Sequence, residues 1–269
     1  MELAVLSSPP KSTSLYAVVI QLGAASAQII PPTLGRTIHA QVMNWLSLAD
    51  SQTADIIHRA QVSPFSISGL MGYRRQRGTK PGDDFIFRIS LLDGNLIDLL
   101  LRGIEQSDNQ TLYLGQCPFV IRSIYTLPDT HPQANISDYT VLANTEKISD
   151  EITLKFLSPT SFKQQQEIQP FPLPELVFGN LLRRWNVFAP PELQFPSLEW
   201  KAVVSAYELK TYALKLEGGA EIGTKGWVKY RFRDSEQARI ATVLAHFANF
   251  AGVGRKTAMG MGQTCLVNS

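Results

Sequence analysis

The sequence predicts an α+β fold of two tandem ferredoxin-like (RRM-like) units, each with the element order βαββαβ. Three observations predict it. Over the first half of the 269 residues, strand-type and helix-type hydrophobic patterns alternate in that order. A polar, proline-punctuated stretch, Leu127-Pro128-Asp129-Thr130-His131-Pro132-Gln133, then interrupts the pattern, and the same order returns beyond it. A hydrophobic content of 44% with 18% charged residues is enough to fill packed cores and argues against disorder.

Leu15 to Leu22 is β-rich and apolar and reads as the first strand. Pro31-Pro32-Thr33 opens a helix with Thr33 as its N-cap, and Leu34, Ile38, Val42, Trp45, Leu46 and Ala49 follow at helical spacing. A short second helix runs from Thr53 to Ala60, capped by Ser51. Ser63 to Leu70 reads as a strand, Gly72 to Asp84 as a basic loop, Phe85 to Leu92 as a strand, Asn95 to Ile104 as an amphipathic helix, and Thr111 to Tyr125 as strand broken near Pro118. Beyond the linker, Glu151 to Leu157 is a strand, Glu175 to Asn186 a helix, and Ala202 to Leu216 and Glu221 to Arg233 a strand pair separated by Gly218-Gly219. Asp234 caps a long helix to about Phe250, with Ile240, Leu244, Phe247 and Ala251 on one face, and Gln263 to Val267 is the last strand. The expected domains are residues 1–128 and 139–269.

A net charge of +2 is mildly basic and by itself does not single out nucleic acid. The two cysteines, Cys117 and Cys265, sit in apolar, strand-like surroundings, so neither a disulfide framework nor a zinc site is expected. No His/Asp/Glu/Cys cluster has metal-ligand spacing. Met1 to Leu6 lacks the basic start of a signal peptide, and no apolar run approaches the roughly 18 residues a membrane span requires. The expectation is a soluble, cytoplasmic protein without a metal or cofactor.

The densest signal is Gly252-Val253-Gly254-Arg255-Lys256-Thr257-Ala258-Met259-Gly260-Met261-Gly262, placed between the last helix and the last strand. Glycines free the backbone N–H groups to turn towards an anion and let a phosphate approach, and Arg255-Lys256 adds two cations. The plainer reading is a helix C-cap at Gly252 followed by a tight turn. A Walker loop is excluded, because Gly-Lys-Ser/Thr is absent and the loop follows a helix instead of preceding one. A dinucleotide fingerprint fails for the same topological reason. A polynucleotide backbone fits this position best.

The segment Phe250 to Gln263 resembles the signature loop of the CRISPR repeat-processing endoribonucleases, the sixth CRISPR-associated protein family of the RAMP superfamily. Three further stretches are similar to that family in order and distance: Ala54 to His58 leading into Pro64 to Ser68, Leu157 to Phe162, and Leu181 to Trp185. The resemblance implies two ferredoxin-like lobes, binding of precursor CRISPR repeat RNA and metal-independent cleavage within the repeat. In that chemistry a ribose 2′-hydroxyl attacks the adjacent phosphate, leaving a 2′,3′-cyclic phosphate and a 5′-hydroxyl. The alternative is a non-catalytic RNA-binding subunit of a CRISPR effector complex, and subunits of such a complex are candidate partners.

In-line attack needs a base at the hydroxyl, an acid at the leaving oxygen and positive charge at the phosphate. Of the four histidines, His131 reads as solvated in the linker and His246 as structural or surface. His58 ends the second helix at the position matching the family's usual catalytic histidine. Its plainer reading is a helix-end histidine favoured by the macrodipole. Arg36, His39 and Met43 fall on one stripe of the first helix, and the short connection to the second helix lets His58 approach it. That set makes a base, an acid and a phosphate clamp; the plainer readings are packing for His39 and surface decoration for Arg36. Some family members carry a Tyr-His-Lys arrangement, but the matching positions here hold Met43 and Pro64. The candidate RNA-binding residues are Gly252, Gly254, Arg255, Lys256, Gly260 and Gly262 of the loop, with Lys155, Lys163, Arg183, Arg184 and Lys225. Arg183 and Arg184 are adjacent on a helix and cannot share one face, so one is expected on RNA and the other in solvent.

Overall fold

The first strand explains how the two halves of the chain meet. In the computed structural model, which describes residues 12–107, 111–216 and 219–267, β1 (Ser14–Ala24) is apolar at nearly every position. A strand with one solvated face would alternate; an unbroken apolar run is covered on both sides. Val18, Ile20 and Leu22 enter one hydrophobic core, while Leu15 and Ala17, pointing the other way, enter a second.

The first core lies between the first sheet and the helices α1 (Gly35–Ala49), α2 (Ser51–Arg59) and α3 (Leu96–Gln106). The sheet comprises β1, β2 (Phe65–Ile67), β3 (Met71–Gly72), β4 (Asp84–Leu91), β5 (Leu112–Leu114), β6 (Cys117–Tyr125) and β7 (Asn135–Asp138). Its order is β2-β4-β1-β6-β5, with β3 added to β4 and β7 to β1. The long pairs are antiparallel, from Tyr16↔Leu91 to Gly23↔Asp84 and from Val19↔Tyr125 to Ala24↔Phe119.

The second half repeats the plan. β8 (Glu151–Thr160), α5 (Pro174–Phe188), β11 (Ala202–Leu216), β12 (Gly219–Phe232), α6 (Ser235–Ala251) and β13 (Thr264–Leu266) build a sheet of order β11-β12-β8-β13. The hairpin of β9 (Phe162–Gln164) and β10 (Glu167–Gln169) and the short α4 (Tyr139–Ala143) are additions. In both sheets the first strand of the βαββαβ unit lies between the third and the fourth. Each is therefore a ferredoxin-like sheet, and the chain carries two in tandem.

α6 joins the halves. Eleven of its 17 residues are buried, including Ile240, Val243, Leu244, Phe247 and Phe250, far more than the single face its periodicity predicts. A helix that is apolar nearly all round is enclosed. Here α6 packs on its own sheet through β8 and β13 and on β1, β2 and β4 of the first sheet. Side chains pin it there. Ser66 Oγ donates to the Phe250 carbonyl at 2.6 Å, and Arg88 Nη2 donates to the Asn249 carbonyl at 2.5 Å.

Several local expectations are corrected. α1 begins after Leu34, which makes no side-chain cap, so Thr33 is not its N-cap. Asp50, not Ser51, caps α2: its carboxylate accepts from the N–H groups of Gln52 and Thr53. The Pro-rich stretch leads back into the first sheet, because β7 pairs with β1 from Ser14↔Asp138 to Ala17↔Asn135. Met1 to Leu6 and Gly218 lie outside the described residues. Among the described residues no helix is long and apolar enough to cross a membrane.

Candidate active site

Asp50 sets the geometry of the candidate catalytic pair. It ends α1 with its N–H donating to the Leu46 carbonyl, holds an extended φ of −159°, and opens α2. Its carboxylate also accepts from Thr53 Oγ1 at 2.6 Å, and hydrogen bonds led by that of Thr53 hold its pKa below the usual carboxylate value. One residue thus closes one helix and starts the next, which folds α2 back against α1. His58 in the last turn of α2 comes near enough to His39 on α1 for its charge to act on the His39 ring.

His39 is half-buried and His58 exposed. The His39 ring stacks on Phe65, with ring centroids 5.5 Å apart and an interplanar angle of 27°. Its Nδ1 lies 3.0 Å from the carbonyl oxygen of Ala258. Burial pushes the His39 pKa below 6.5; the Ala258 hydrogen bond opposes this, and the charge of His58 adds to it. Arg36 is exposed one turn before His39 on the same stripe. His131 is half-buried beside the Tyr125 ring, with Nδ1 accepting from the Gln133 N–H. His246 is half-buried in α6, its pKa lowered by burial.

The glycine-rich loop is less an open anion cradle than a packed wedge. Gly252, Gly254, Gly260 and Gly262 all have positive φ, between 65° and 87°, where an L side chain is strained. Gly252 and Gly262 are buried and close the loop's neck. A Cβ on Gly262 would lie 2.1 Å from the Val253 carbonyl oxygen, and the Val253 N–H donates to the Gly262 carbonyl at 2.8 Å. These two glycines therefore shape the loop rather than line a ligand surface, which corrects their reading as RNA-binding. Other loop N–H groups are also used internally: Gly254 donates to Asn180 Oδ1, Arg255 to the Ser161 carbonyl, and Gly262 to the Pro159 carbonyl.

The stretches that carried the family resemblance converge on this wedge. Leu157 to Ser161 supplies the carbonyls just named, and its Ser158 hydroxyl accepts from the Gln263 N–H. Gln263 Nε2 donates to the Ile67 carbonyl at 2.8 Å. Arg184 donates through Nη1 to the Ala251 carbonyl and, at 3.4 Å, to that of Gly252. Arg184 is buried, with a pKa lowered to about 10 by desolvation. It is not an RNA contact: the adjacent arginines diverge as expected, but Arg183 is exposed and Arg184 turns inward. With Arg88 on Asn249, it places a second buried cation at the carboxyl end of α6, where the helix dipole favours positive charge.

The remaining cations fall into two groups. Lys163, Arg183 and Arg255 line one groove between α5 and the loop, together with Gly254 and Glu175. Lys155 and Lys225 line another on the second sheet, with Lys210, Tyr212 and Trp227. Lys225 Nζ stands 5.4 Å from the centroid of the Tyr212 ring. Arg255 and Lys256 are not bare: both pair with the carboxylate of Glu221 on β12, Arg255 at 3.1 Å. Glu221 is a functional candidate that no local pattern identified, since its partners lie 34 and 35 residues away in sequence. Gly260 lines a cleft of about 480 Å³ between the two halves, with Ser68, Arg74 and Asn249. Arg74 and Arg75 of the basic loop are engaged as well, Arg74 on the carbonyls of Pro31, Pro32 and Leu70 and Arg75 on Asp83.

Two ferredoxin-like domains wedged together by a glycine-rich loop give a fold shared with a solved RAMP protein, at a TM-score of 0.62 and 15% identity. The family model described as CRISPR-associated endoribonuclease Cas6 matches residues 154–264. A curated CRISPR-associated endoribonuclease Cas6 from Mycobacterium tuberculosis (strain CDC 1551 / Oshkosh) is 27% identical over 252 residues, covering 86% of this chain and 70% of that protein. Among solved structures, one Cas6 product complex superposes with a TM-score of 0.81 at 24% identity, covering 95% of this chain and 100% of that one. A second Cas6 product complex gives 0.74 at 27%, with the same coverage. The chain is thus similar to CRISPR-associated Cas6 endoribonucleases, through the family model over residues 154–264 and through relatives and solved structures along most of its length.

Proposed function

We propose that this endoribonuclease cleaves CRISPR precursor RNA within the repeat without a metal ion, by attack of a ribose 2′-hydroxyl on the adjacent phosphate. One observation carries the reading: a half-buried imidazole, His39, whose pKa is held below 6.5, within electrostatic reach of a second, exposed imidazole. His39 is largely neutral at pH 7 and takes the 2′-hydroxyl proton. His58 delivers a proton to the leaving 5′-oxygen, and Arg36 offsets charge developing on the phosphate. The products are a 2′,3′-cyclic phosphate and a 5′-hydroxyl. The similar Cas6 structures described as product and substrate-mimic complexes support repeat RNA as the substrate. Domains spanning residues 1–128 and 139–269 divide the work, the first supplying the histidines and the second the loop.

RNA is held by Arg183, Lys163 and Arg255 in the α5 groove, with Lys155 and Lys225 on the second sheet and Gly254, Gly260 and Lys256 on the loop. The test is repeat RNA incubated with the protein in excess EDTA, with the product ends determined. The expected products are a 5′ fragment ending in a cyclic phosphate and a 3′ fragment that a kinase labels directly at its 5′-hydroxyl. Cleavage that stops on chelation or leaves a 5′-phosphate contradicts the mechanism.

Glu221 gives a separate prediction. It shares one carboxylate between Arg255 and Lys256, so a phosphate must compete with it for both cations. Glu221→Gln is expected to tighten RNA binding several-fold at low salt. It should also steepen the dependence of log Kd on log salt, by roughly 0.7 for each added single-strand phosphate contact. Binding titrations over a salt series check this, and an unchanged slope contradicts it.

A further inference from the structure

The loop carries no side chain able to move a proton at the candidate site, yet its backbone touches the one that would. We propose that the Ala258 carbonyl, presented by the glycine-rich loop of the second domain, holds His39 in the Nδ1–H tautomer and so directs the lone pair of Nε2 to the substrate hydroxyl. This rests on the reading of His39 as the base.

A carbonyl oxygen can only accept, so the 3.0 Å contact between His39 Nδ1 and Ala258 O requires the proton on Nδ1. Nε2 is then the acceptor nitrogen of the neutral ring. Free histidine prefers the opposite tautomer, so the carbonyl sets a state that the side chain alone would not favour. Phe65 fixes the plane of the ring by stacking on it.

The loop is built to hold that carbonyl in place. Ala258 sits in the 3-10 turn Thr257–Met259, bracketed by Lys256 at φ 54° and Gly260 at φ 87°. The Lys256 carbonyl accepts from the N–H groups of both Met259 and Met261, at 2.8 and 3.2 Å. The turn lies against the start of α1 at Gly35, where a Cβ would stand 1.9 Å from the Met259 carbonyl oxygen. Gly35 is thus a positioning residue: its missing side chain lets the turn reach His39 one helical turn further on. Facing His39 are Phe65 from β2 and Ala258 from the turn. His58 from α2 is its titratable neighbour, and Arg36 is the cation on the same stripe.

The test is long-range ¹H–¹⁵N correlation of the full chain labelled at histidine, at pH 8, with His39 assigned by its loss in His39→Gln. The expected pattern is a protonated Nδ1 and an unprotonated Nε2. A protonated Nε2, or the averaged pattern of two interconverting tautomers, overturns the proposal. Gly35→Ala supplies the second arm. It should move His39 towards the Nε2–H tautomer and lower its titration midpoint, because the carbonyl that favours the imidazolium has withdrawn. It should also slow cleavage on the order of ten-fold with RNA affinity retained. If Gly35→Ala does not fold, the tautomer in the unaltered protein still decides. The two readings fail separately. Full activity in His39→Ala removes the base assignment and leaves the tautomer standing; an Nε2–H tautomer with an inactive His39→Ala removes only the carbonyl's role.

Discussion

His39→Ala is expected to reduce the single-turnover rate of repeat cleavage by about 10²–10⁴-fold, the range contributed by a positioned general base, with RNA affinity changed by no more than about two-fold. The direction of its pKa is what suits it to the proposed role of base. Burial among Phe65 and the 257–259 turn depresses the pKa below 6.5, and the charge of His58 depresses it further. At neutral pH the ring is uncharged and its lone pair available. Cleavage in the unaltered protein should therefore rise with pH through a midpoint below 6.5, and His39→Ala should lose that limb. His58→Ala is expected to slow the reaction as well. The double variant should fall well short of the product of the two single effects, because acid and base serve one transition state. Single-turnover rates across pH 4.5–8 for the three variants check this set.

Arg184→Ala should cost about 3 kcal/mol of stability, or a fall of about 6–12 °C in Tm for a chain of this size. Burying a guanidinium is costly, and desolvation lowers its pKa to about 10. That value is still well above neutrality, so the group remains charged inside the protein. It is compensated by the Ala251 and Gly252 carbonyls at the carboxyl end of α6, where the helix dipole is negative. Truncation leaves those carbonyls buried without their donor and opens a cavity, and both effects destabilise. Arg184→Met fills the cavity but not the hydrogen bonds and should lie between. The lesion sits at the neck of the glycine-rich loop, so RNA affinity should fall together with stability, unlike in His39→Ala. Thermal unfolding with a parallel binding titration separates the two. A Tm within about 1 °C of the unaltered protein contradicts the account of Arg184.

Much of this fold is legible in the sequence because the burial pattern is. The apolar Leu15 to Leu22 run announced the first strand, and the order of elements announced two ferredoxin-like sheets, while the burial of β1 on both faces emerged only in the fold. The enclosure of α6 was only half visible: its alanines are buried but read as neutral filler beside Ile240, Leu244 and Phe247. Helix caps were misplaced by a residue where neighbouring polar side chains compete, as at Asp50 and Ser51. The placement of the candidate residues was legible where they share one helix, as with Arg36 and His39, or meet across a short corner, as with His58. It was not legible where long-range geometry decides. Adjacent arginines must diverge, but nothing local says that Arg184 turns inward rather than towards solvent. Arg88, embedded between Phe87 and Ile89, looks like an interruption of a strand until the end of α6 is placed against it. Glu221 reveals itself only when β12 meets the loop, and the Ala258 carbonyl has no sequence signature at all.

The central claim is that the substrate's own 2′-hydroxyl is the nucleophile. The most direct measurement is cleavage of two repeat RNAs that differ by one oxygen, the second carrying a 2′-deoxy sugar immediately 5′ of the scissile phosphate, in excess EDTA. The account predicts that both bind with the same affinity and that only the all-ribose RNA is cut. Cleavage of the deoxy-substituted RNA at the ribose rate would contradict it.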